Sequence, residues 1–325
     1  MNRPLGDAGR FRYLSGGPGT PHRARWAAAR EALERSGLRH TVIGPTRPFR
    51  MLRRMRPLIR LALRLAGLHR RGERNARSPR LEARTLRFAE LPAAFHGYRI
   101  LHVSDPHFEN LPGLAEAMAD RLAGLAVDLV AVTGDLQAHH ETDCRGTIEP
   151  LSRLLGAVSV ADAVVVVLGN HDAGHLLPHL ESSGLEVLVN EHGAIERCGA
   201  RLVLSGTDDP NCFYTEAAAR CLESPPEGFR VALVHSPELA QAAAAGGHAL
   251  YLCGHTHGGQ ICLPGGRPIL TVLTVNRHLA KGWWTEGAMV GHTSNGLGSA
   301  VLAVRYFCPP SVTLITLQRG EPEPG

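Results

Sequence analysis

YRILHVSDPHF, residues 98–108, begins as an apolar run and ends on two side chains able to bind metal. YRILHVS (98–104) has the length and Val/Leu/Ile content of a buried strand, and it runs directly into Asp105-Pro106-His107. Four further stretches repeat the plan. VDLVAVTG (127–134) leads into Asp135, AVVVVLGN (163–170) into Gly169-Asn170-His171-Asp172, FRVALVH (229–235) ends at His235, and ALYLCG (249–254) leads into His255-Thr256-His257. RLVLSG (201–206) reads as another buried strand, and 112–126 and 147–158 read as helices between the early ones. Strand–helix alternation of this kind predicts an α/β layered domain. After residue 254 the chain is richer in Gly, Pro and Thr, and SVTLITL (311–317) predicts a strand in a second, antiparallel sheet.

Sites in α/β sheets are built at the carboxyl edge of the strands. A single Asp-x-His or Gly-Asp occurs in many unrelated loops, and a lone His after a strand is more often a hydrogen-bond partner than a ligand. Five strand ends delivering Asp, Asn and His in sequence make a polar, metal-binding rim over an apolar core. Carboxylate, imidazole and amide oxygen together suit Mn, Fe, Zn or Co. One shared carboxylate can bridge two such ions ~3.5–4 Å apart, the spacing that clamps an in-line displacement at phosphorus. In His255-Thr256-His257 the alternation puts both imidazoles on one side of an extended segment. Gly134, Gly169 and Gly254 allow sharp turns without side-chain crowding.

The net charge of +5 conceals an asymmetry: residues 1–90 carry 22 Arg against 6 acids, +16, whereas 91–325 sum to −11. A basic arm on an acidic body predicts an anionic partner, membrane or nucleic acid. Residues 23–36 read as a helix stopped by Gly37. Residues 47–75 form a basic amphipathic helix, with Arg53, Arg56, Arg60 and Arg64 on one face and Leu52, Met55, Ile59, Leu63 and Ala66 on the other. Such a helix can lie flat on an anionic membrane; Pro57 predicts a kink or a later start. The expected division is a basic extension (1–85), a catalytic domain (86–320) and a solvated tail (321–325). No segment approaches the ~18–20 apolar residues of a membrane-spanning helix, and no secretory signal is evident. Seven scattered cysteines without a CxxC pair predict free thiols in a reducing cytosol, hence a cytoplasmic protein, peripheral on the inner membrane.

The series DPH, GD, GNHD, H and GHTH resembles the signature of the calcineurin-like metallophosphoesterases over about residues 86–318. FAELPAAFHGYRILHVSDPHF, GHTHGGQICLP and SNGLG followed by RYFCPPSVTLITL resemble its bacterial branch of membrane-associated phosphodiesterases, which includes pyrophosphatases of UDP-2,3-diacylglucosamine. The resemblance implies a four-layer α/β/β/α sandwich and two divalent ions. It places Asp105, His107 and His257 on the first metal, Asp135 between the two, and Asn170, His235 and His255 on the second. It makes His171 the residue that contacts phosphate and protonates the leaving oxygen, with Asp172 orienting an imidazole. Two departures stand out: Pro106 replaces an apolar residue, and LQAHH follows Gly134-Asp135 where protein Ser/Thr phosphatases continue Asp-Arg.

The favoured expectation is hydrolysis of a phosphodiester or pyrophosphate bond, in a small-molecule or lipid substrate at an anionic membrane. A nuclease of the same fold is the alternative, against which the arm shows little aromatic interleaving for base stacking. A non-catalytic scaffold is a third reading, and it fits poorly with a complete ligand set. Asp208 and Asp209 in SGTDDP form a further ligand pair or a turn before Pro210. Trp283 and Trp284 gate the cleft or pack on the surface.

Overall fold

The computed structural model describes residues 11–46 and 51–321. Residues 47–50 of the predicted basic helix and 322–325 of the predicted tail lie outside the described residues. In chain order the strands are β1 (Phe11–Ser15), β2 (Arg39–Thr41), β3 (Gly44–Thr46), β4 (Arg80–Phe88), β5 (Tyr98–Val103), β6 (Leu125–Thr133), β7 (Val158–Val167) and β8 (Glu186–Val187). They continue with β9 (Glu191–Arg197), β10 (Ala200–Gly206), β11 (Phe229–Leu233), β12 (Leu250–Cys253), β13 (Gly282–Glu286), β14 (Met289–Thr293) and β15 (Ser311–Arg319). One sheet has the order β4-β15-β5-β6-β7-β8, the other β1-β9-β10-β11-β12-β14-β13, and β2-β3 is a separate hairpin.

Side chains alternate across each strand, so each sheet serves two cores. Leu101, Val103, Val130, Val132 and Val166 face helices α4 (Leu114–Leu122), α5 (Cys144–Gly156) and α6 (Leu177–Ser182). Their neighbours Ile100, Leu129, Ala131, Val165 and Val167 meet Leu202, Leu204, Val231, Leu233 and Leu252 between the sheets. The outer face of the second sheet, with Ala232, Val234, Tyr251 and Cys253, is covered by α7 (Glu216–Glu223) and α8 (Ala240–Ala245). This is the expected four-layer α/β/β/α arrangement.

Four details differ from the expectation. SVTLITL is not part of the second sheet: β15 lies in the first, parallel to β4 and antiparallel to β5. The second sheet is also mixed, because β10, β11, β12 and β14 run parallel. The expected boundary between residues 85 and 86 falls inside β4, and β1 pairs with β9, so parts of the basic arm are integral strands. The 47–75 unit is two helices, α2 (Met51–Leu65) and α3 (His69–Ala76), separated at Gly67 with φ 68°. Pro57 lies inside α2. Helix α1 (Pro21–Ser36) matches the predicted one, with Thr20 as N-cap and Gly37 in the left-handed region.

Candidate metal centre

The carboxyl ends of β5, β6 and β7 in one sheet meet those of β11 and β12 in the other, and the ligand candidates follow those ends. Asp105, His107 and His257 offer atoms within 4.8 Å of one another, and so do Asp135, His235 and His255; all six are buried. Asn170 Oδ1 lies 2.7 Å from His255 Nδ1 and 3.1 Å from His235 Nε2. Asp135 Oδ2 stands between the groups, 3.5 Å from His107 Nε2 and 3.3 Å from His235 Nε2. The structure thus gathers all seven predicted side chains into two adjoining triads plus an amide.

The backbone is bent to achieve this. Asp105, His107, Asp135, His255 and His257 all have φ between 39° and 70°, a region that costs non-glycine residues of order 1–3 kcal/mol and clusters at functional sites. Cross-links between loops hold these turns: Asp105 N donates to Gly134 O, His107 N to Asp135 O and Gly254 N to His235 O. A Cβ on Gly134 would come within 2.5 Å of Gly169 N, and one on Gly254 within 2.1 Å of Asp105 Oδ2. The glycines that precede the ligands are therefore required by close approach.

The outward ring nitrogens of His107 and His235 are committed. His107 Nδ1 donates to Gln137 O at 2.7 Å and His235 Nδ1 to Thr133 O at 2.7 Å, which leaves both Nε2 atoms facing the cluster. Burial pushes the His107 imidazole down to about 4 and holds His255 and His257 well below the usual range. Burial also pushes Asp105 up to about 6. Burial opposes the protonation of His235, yet the Asp135, Asp105 and Asp209 carboxylates outweigh it and hold that imidazole well above its ordinary range. The cluster is a buried pool of carboxylates and imidazoles whose carboxylates draw positive charge. Neither Asp105 nor Asp135 has an Arg or Lys ion-pair partner among the described residues, and His255 Nε2 is buried without a partner. Buried charge is normally paired or metal-bound, and this donor set fits borderline divalent cations.

His171 lies at the rim, half-buried, with its ring edge-on to His107 at 5.0 Å. Its Nδ1 donates to Ala138 O at 2.8 Å, so Nε2 is the nitrogen available to a substrate. Asp172 has a different role from the expected one. It accepts from Gln137 N at 2.9 Å and Gly169 N at 2.8 Å, bracing two loops rather than orienting an imidazole.

Two buried arginines were missed by sequence reasoning. Arg305, in RYFCPP, is fully buried and donates to the carbonyls of His257 (2.9 Å) and Asn295 (2.8 Å), fixing the GHTH loop. Arg30, on α1, donates to the carbonyls of Gly169 and Asp172, the residues flanking Asn170 and His171, and pairs with Asp208. Trp26 Nε1 also donates to Asp208, at 2.8 Å. Asp208 is thus a docking point for α1. Asp209 accepts from Cys212 N at 2.6 Å, the turn reading. Trp284 Nε1 donates to Thr293 Oγ1 at 2.9 Å and Trp283 stacks on His292, so both pack on the sheet.

Sequence comparison adds the decisive observation. The sequence model of the calcineurin-like phosphoesterases matches residues 98–259. YkoQ of Bacillus subtilis (strain 168), an uncharacterized metallophosphoesterase, is 30% identical over 229 residues, 66% of this chain and 81% of the relative. The chain belongs to the calcineurin-like phosphoesterase family. A second metallophosphoesterase of the same strain, YkuE, is 28% identical over 246 residues, covering 72% of this chain and 84% of the relative. The phosphodiesterase YaeI of Escherichia coli (strain K12) is 28% identical over 234 residues, covering 68% and 82%. As a calcineurin-like phosphoesterase the protein is a metal-dependent hydrolase of phosphoric esters, and the matched region contains every predicted ligand.

Three outcomes are expected. Asp135→Asn and His255→Ala reduce bound metal and abolish hydrolysis, whereas His171→Ala keeps the metal and slows turnover; elemental analysis beside a phosphodiester assay separates the two classes. Metal retention falls as pH drops from 7 to 5, because Asp105 must be ionised to bind a cation and takes up its proton near 6; equilibrium dialysis across that range checks it. Arg30→Ala breaks a buried ion pair, a class of change that costs about 3–5 kcal/mol. It should lower thermal stability and loosen the Asn170–His171 loop, seen as faster amide exchange there.

Proposed function

We propose that the seven side chains hold two divalent ions, and that the protein cleaves a phosphodiester or pyrophosphate bond in a lipid-linked substrate at an anionic membrane surface. UDP-2,3-diacylglucosamine is the sharpest candidate. The observation that carries the chemistry is Asp135 Oδ2, within 3.5 Å of an imidazole nitrogen of each triad, where one carboxylate oxygen can serve both ions. When bound, such ions neutralise phosphoryl charge and acidify water to supply a nucleophile near neutral pH. The chain's own part is geometric and acid–base. Asp135 Oδ1 accepts from the backbone N of His171 at 2.8 Å, which ties the main chain of that loop to the shared carboxylate. As the imidazolium, with Nδ1–H held by Ala138 O, His171 can direct Nε2–H to a phosphoryl oxygen and pass that proton to the leaving oxygen, help worth ~10²–10⁴-fold.

The lipid reading is supported by the surface beside the site. On α2 and just beyond it, Leu58, Leu61, Leu65 and Leu68 are exposed at helical spacing, while Ile59 and Leu63 are half-buried. Of the apolar face expected from the sequence, Met55 and Ala66 are exposed and Ile59 and Leu63 half-buried, so Leu58, Leu61 and Leu65 form a further outward apolar row. Arg56, Arg64 and Arg70 are exposed in the same segment. Tyr306 Oη donates to Leu68 O at 2.6 Å, which brings this segment against exposed Phe307; the loop after the GHTH turn adds exposed Leu263, Ile269 and Leu270. Apolar side chains interleaved with arginines suit a helix in the headgroup layer. No helix of the described residues is long and apolar enough to cross a membrane.

The test uses the full chain, since β1 and β4 make the arm inseparable from the sheets. Manganese-loaded enzyme is offered bis(p-nitrophenyl) phosphate, p-nitrophenyl phosphate, single-stranded DNA, and UDP-2,3-diacylglucosamine in anionic vesicles. With about 1 kcal/mol of surface attraction per basic residue, the triple change of Arg56, Arg64 and Arg70 to Gln should weaken vesicle binding about 100-fold. Cleavage of the lipid substrate should fall in parallel, with bis(p-nitrophenyl) phosphate hydrolysis unchanged. Equal vesicle binding by both proteins, or preferential cleavage of DNA, contradicts the lipid reading.

A further inference from the structure

Arg39 is the first residue of β2, outside every motif that carries the metal centre. Its strand is fastened to the loop after β10: His40 N donates to Cys212 O at 2.8 Å and Tyr214 N to His40 O at 2.9 Å. That loop forms the wall of the second triad. Thr207 N donates to Leu233 O, two residues before His235, and Asn211 Nδ2 donates to Glu238 Oε2 at 3.1 Å, three residues after it. On the other flank the Phe213 ring lies 5.9 Å from His140, whose Nε2 donates to Asn170 O at 3.0 Å. Arg39 thus sits on a segment clasped between the neighbours of His235 and of Asn170.

The guanidinium is incompletely partnered. Nη2 donates to Asn211, through both Oδ1 and the backbone carbonyl, and Asn211 is neutral. Nε is buried and has no hydrogen-bond partner, and no carboxylate pairs with the group among the described residues. This contrasts with Arg23 and Arg30 of α1, which are bound to Glu191 and Asp208. An uncompensated, partly buried cation is unfavourable unless an anion arrives. A planar guanidinium fork matches phosphoryl oxygens in geometry and charge.

We propose that Arg39 binds a non-bridging phosphoryl oxygen of the substrate at the second-metal end of the cleft, so that the β2–β3 hairpin forms part of the active site. This rests on the proposed phosphoester hydrolysis only for the identity of the anion. Asn211 holds the fork by its outer nitrogen and leaves Nε free to donate. A charge-assisted bond of this kind fixes the phosphoryl group beside His235 and His255 before His171 acts on the leaving side.

The test is the affinity of manganese-loaded enzyme for inorganic phosphate, read by calorimetry and by competitive inhibition of bis(p-nitrophenyl) phosphate hydrolysis. Arg39→Gln should weaken phosphate binding about 10- to 100-fold, the range for a hydrogen bond to a charged group. The loss should appear mainly in KM, with metal content unchanged. Arg39→Lys, which keeps the charge and loses the fork, should fall between Gln and the native residue. Phosphate affinity within twofold of native in Arg39→Gln, at full metal content, overturns the proposal. Should that variant not fold, native affinity in Arg39→Lys overturns it equally. If the native enzyme binds phosphate through Arg39 and cleaves no phosphoester, the proposed function fails and the assignment of Arg39 stands.

Discussion

Two carboxylates, Asp105 and Asp135, are removed from water and surrounded by imidazoles rather than by arginines or lysines. Burying a carboxylate without a counter-ion costs several kcal/mol, so the surrounding structure must either supply a cation or raise the carboxyl pKa. The fold makes this arrangement hard to relax. Each ligand stands at the end of a strand whose body is locked between two cores, and five of the seven ligands occupy left-handed backbone. Only a rigid double sheet can hold so many unfavourable turns in register.

The loops at the sheet edge are held from outside as well. Arg30 grips the carbonyls on either side of Asn170 and His171, Asp172 gathers the amides of Gln137 and Gly169, and Arg305 gathers carbonyls around His257. Arg30 and Asp172 stand behind the ligands, and Arg305 also reaches the His257 ring at Nδ1, 3.2 Å away. They fix the loop conformations that the ligands need, which is how catalytic geometry is usually preorganised. Helix α1 is accordingly a brace for the GNHD loop, and its arginines answer the acids Glu181, Glu191 and Asp208 of the body. Part of the basic arm's excess charge is thus consumed inside the fold, and α2 and α3 present the exposed remainder.

The layered fold was legible in the sequence because buried parallel strands are short unbroken Val/Leu runs, and the ligands were legible because each run stops on one. The failures have equally physical causes. β4 reads RLEARTLRF and β9 reads EHGAIER, so charged residues hide strands that pair at the margins of the sheets. β15 was seen as a strand but assigned to the wrong sheet, since its pairing with β4 spans more than two hundred residues of sequence and no local pattern encodes it. The burial of Arg23, Arg30 and Trp26 was not legible in the 23–36 helix pattern, because a buried arginine is rare and is recognised only once its carboxylate partner is in place. Arg39 carried no signal at all: its environment is built from a loop 172 residues away.

The central claim is that these side chains enclose a pair of cations sharing Asp135. Anomalous diffraction from crystals grown with manganese tests it most directly. The account predicts two peaks ~3.5–4 Å apart, one against Asp105, His107 and His257, the other against Asn170, His235 and His255, with Asp135 touching both. A single peak, or two peaks without Asp135 between them, would contradict it.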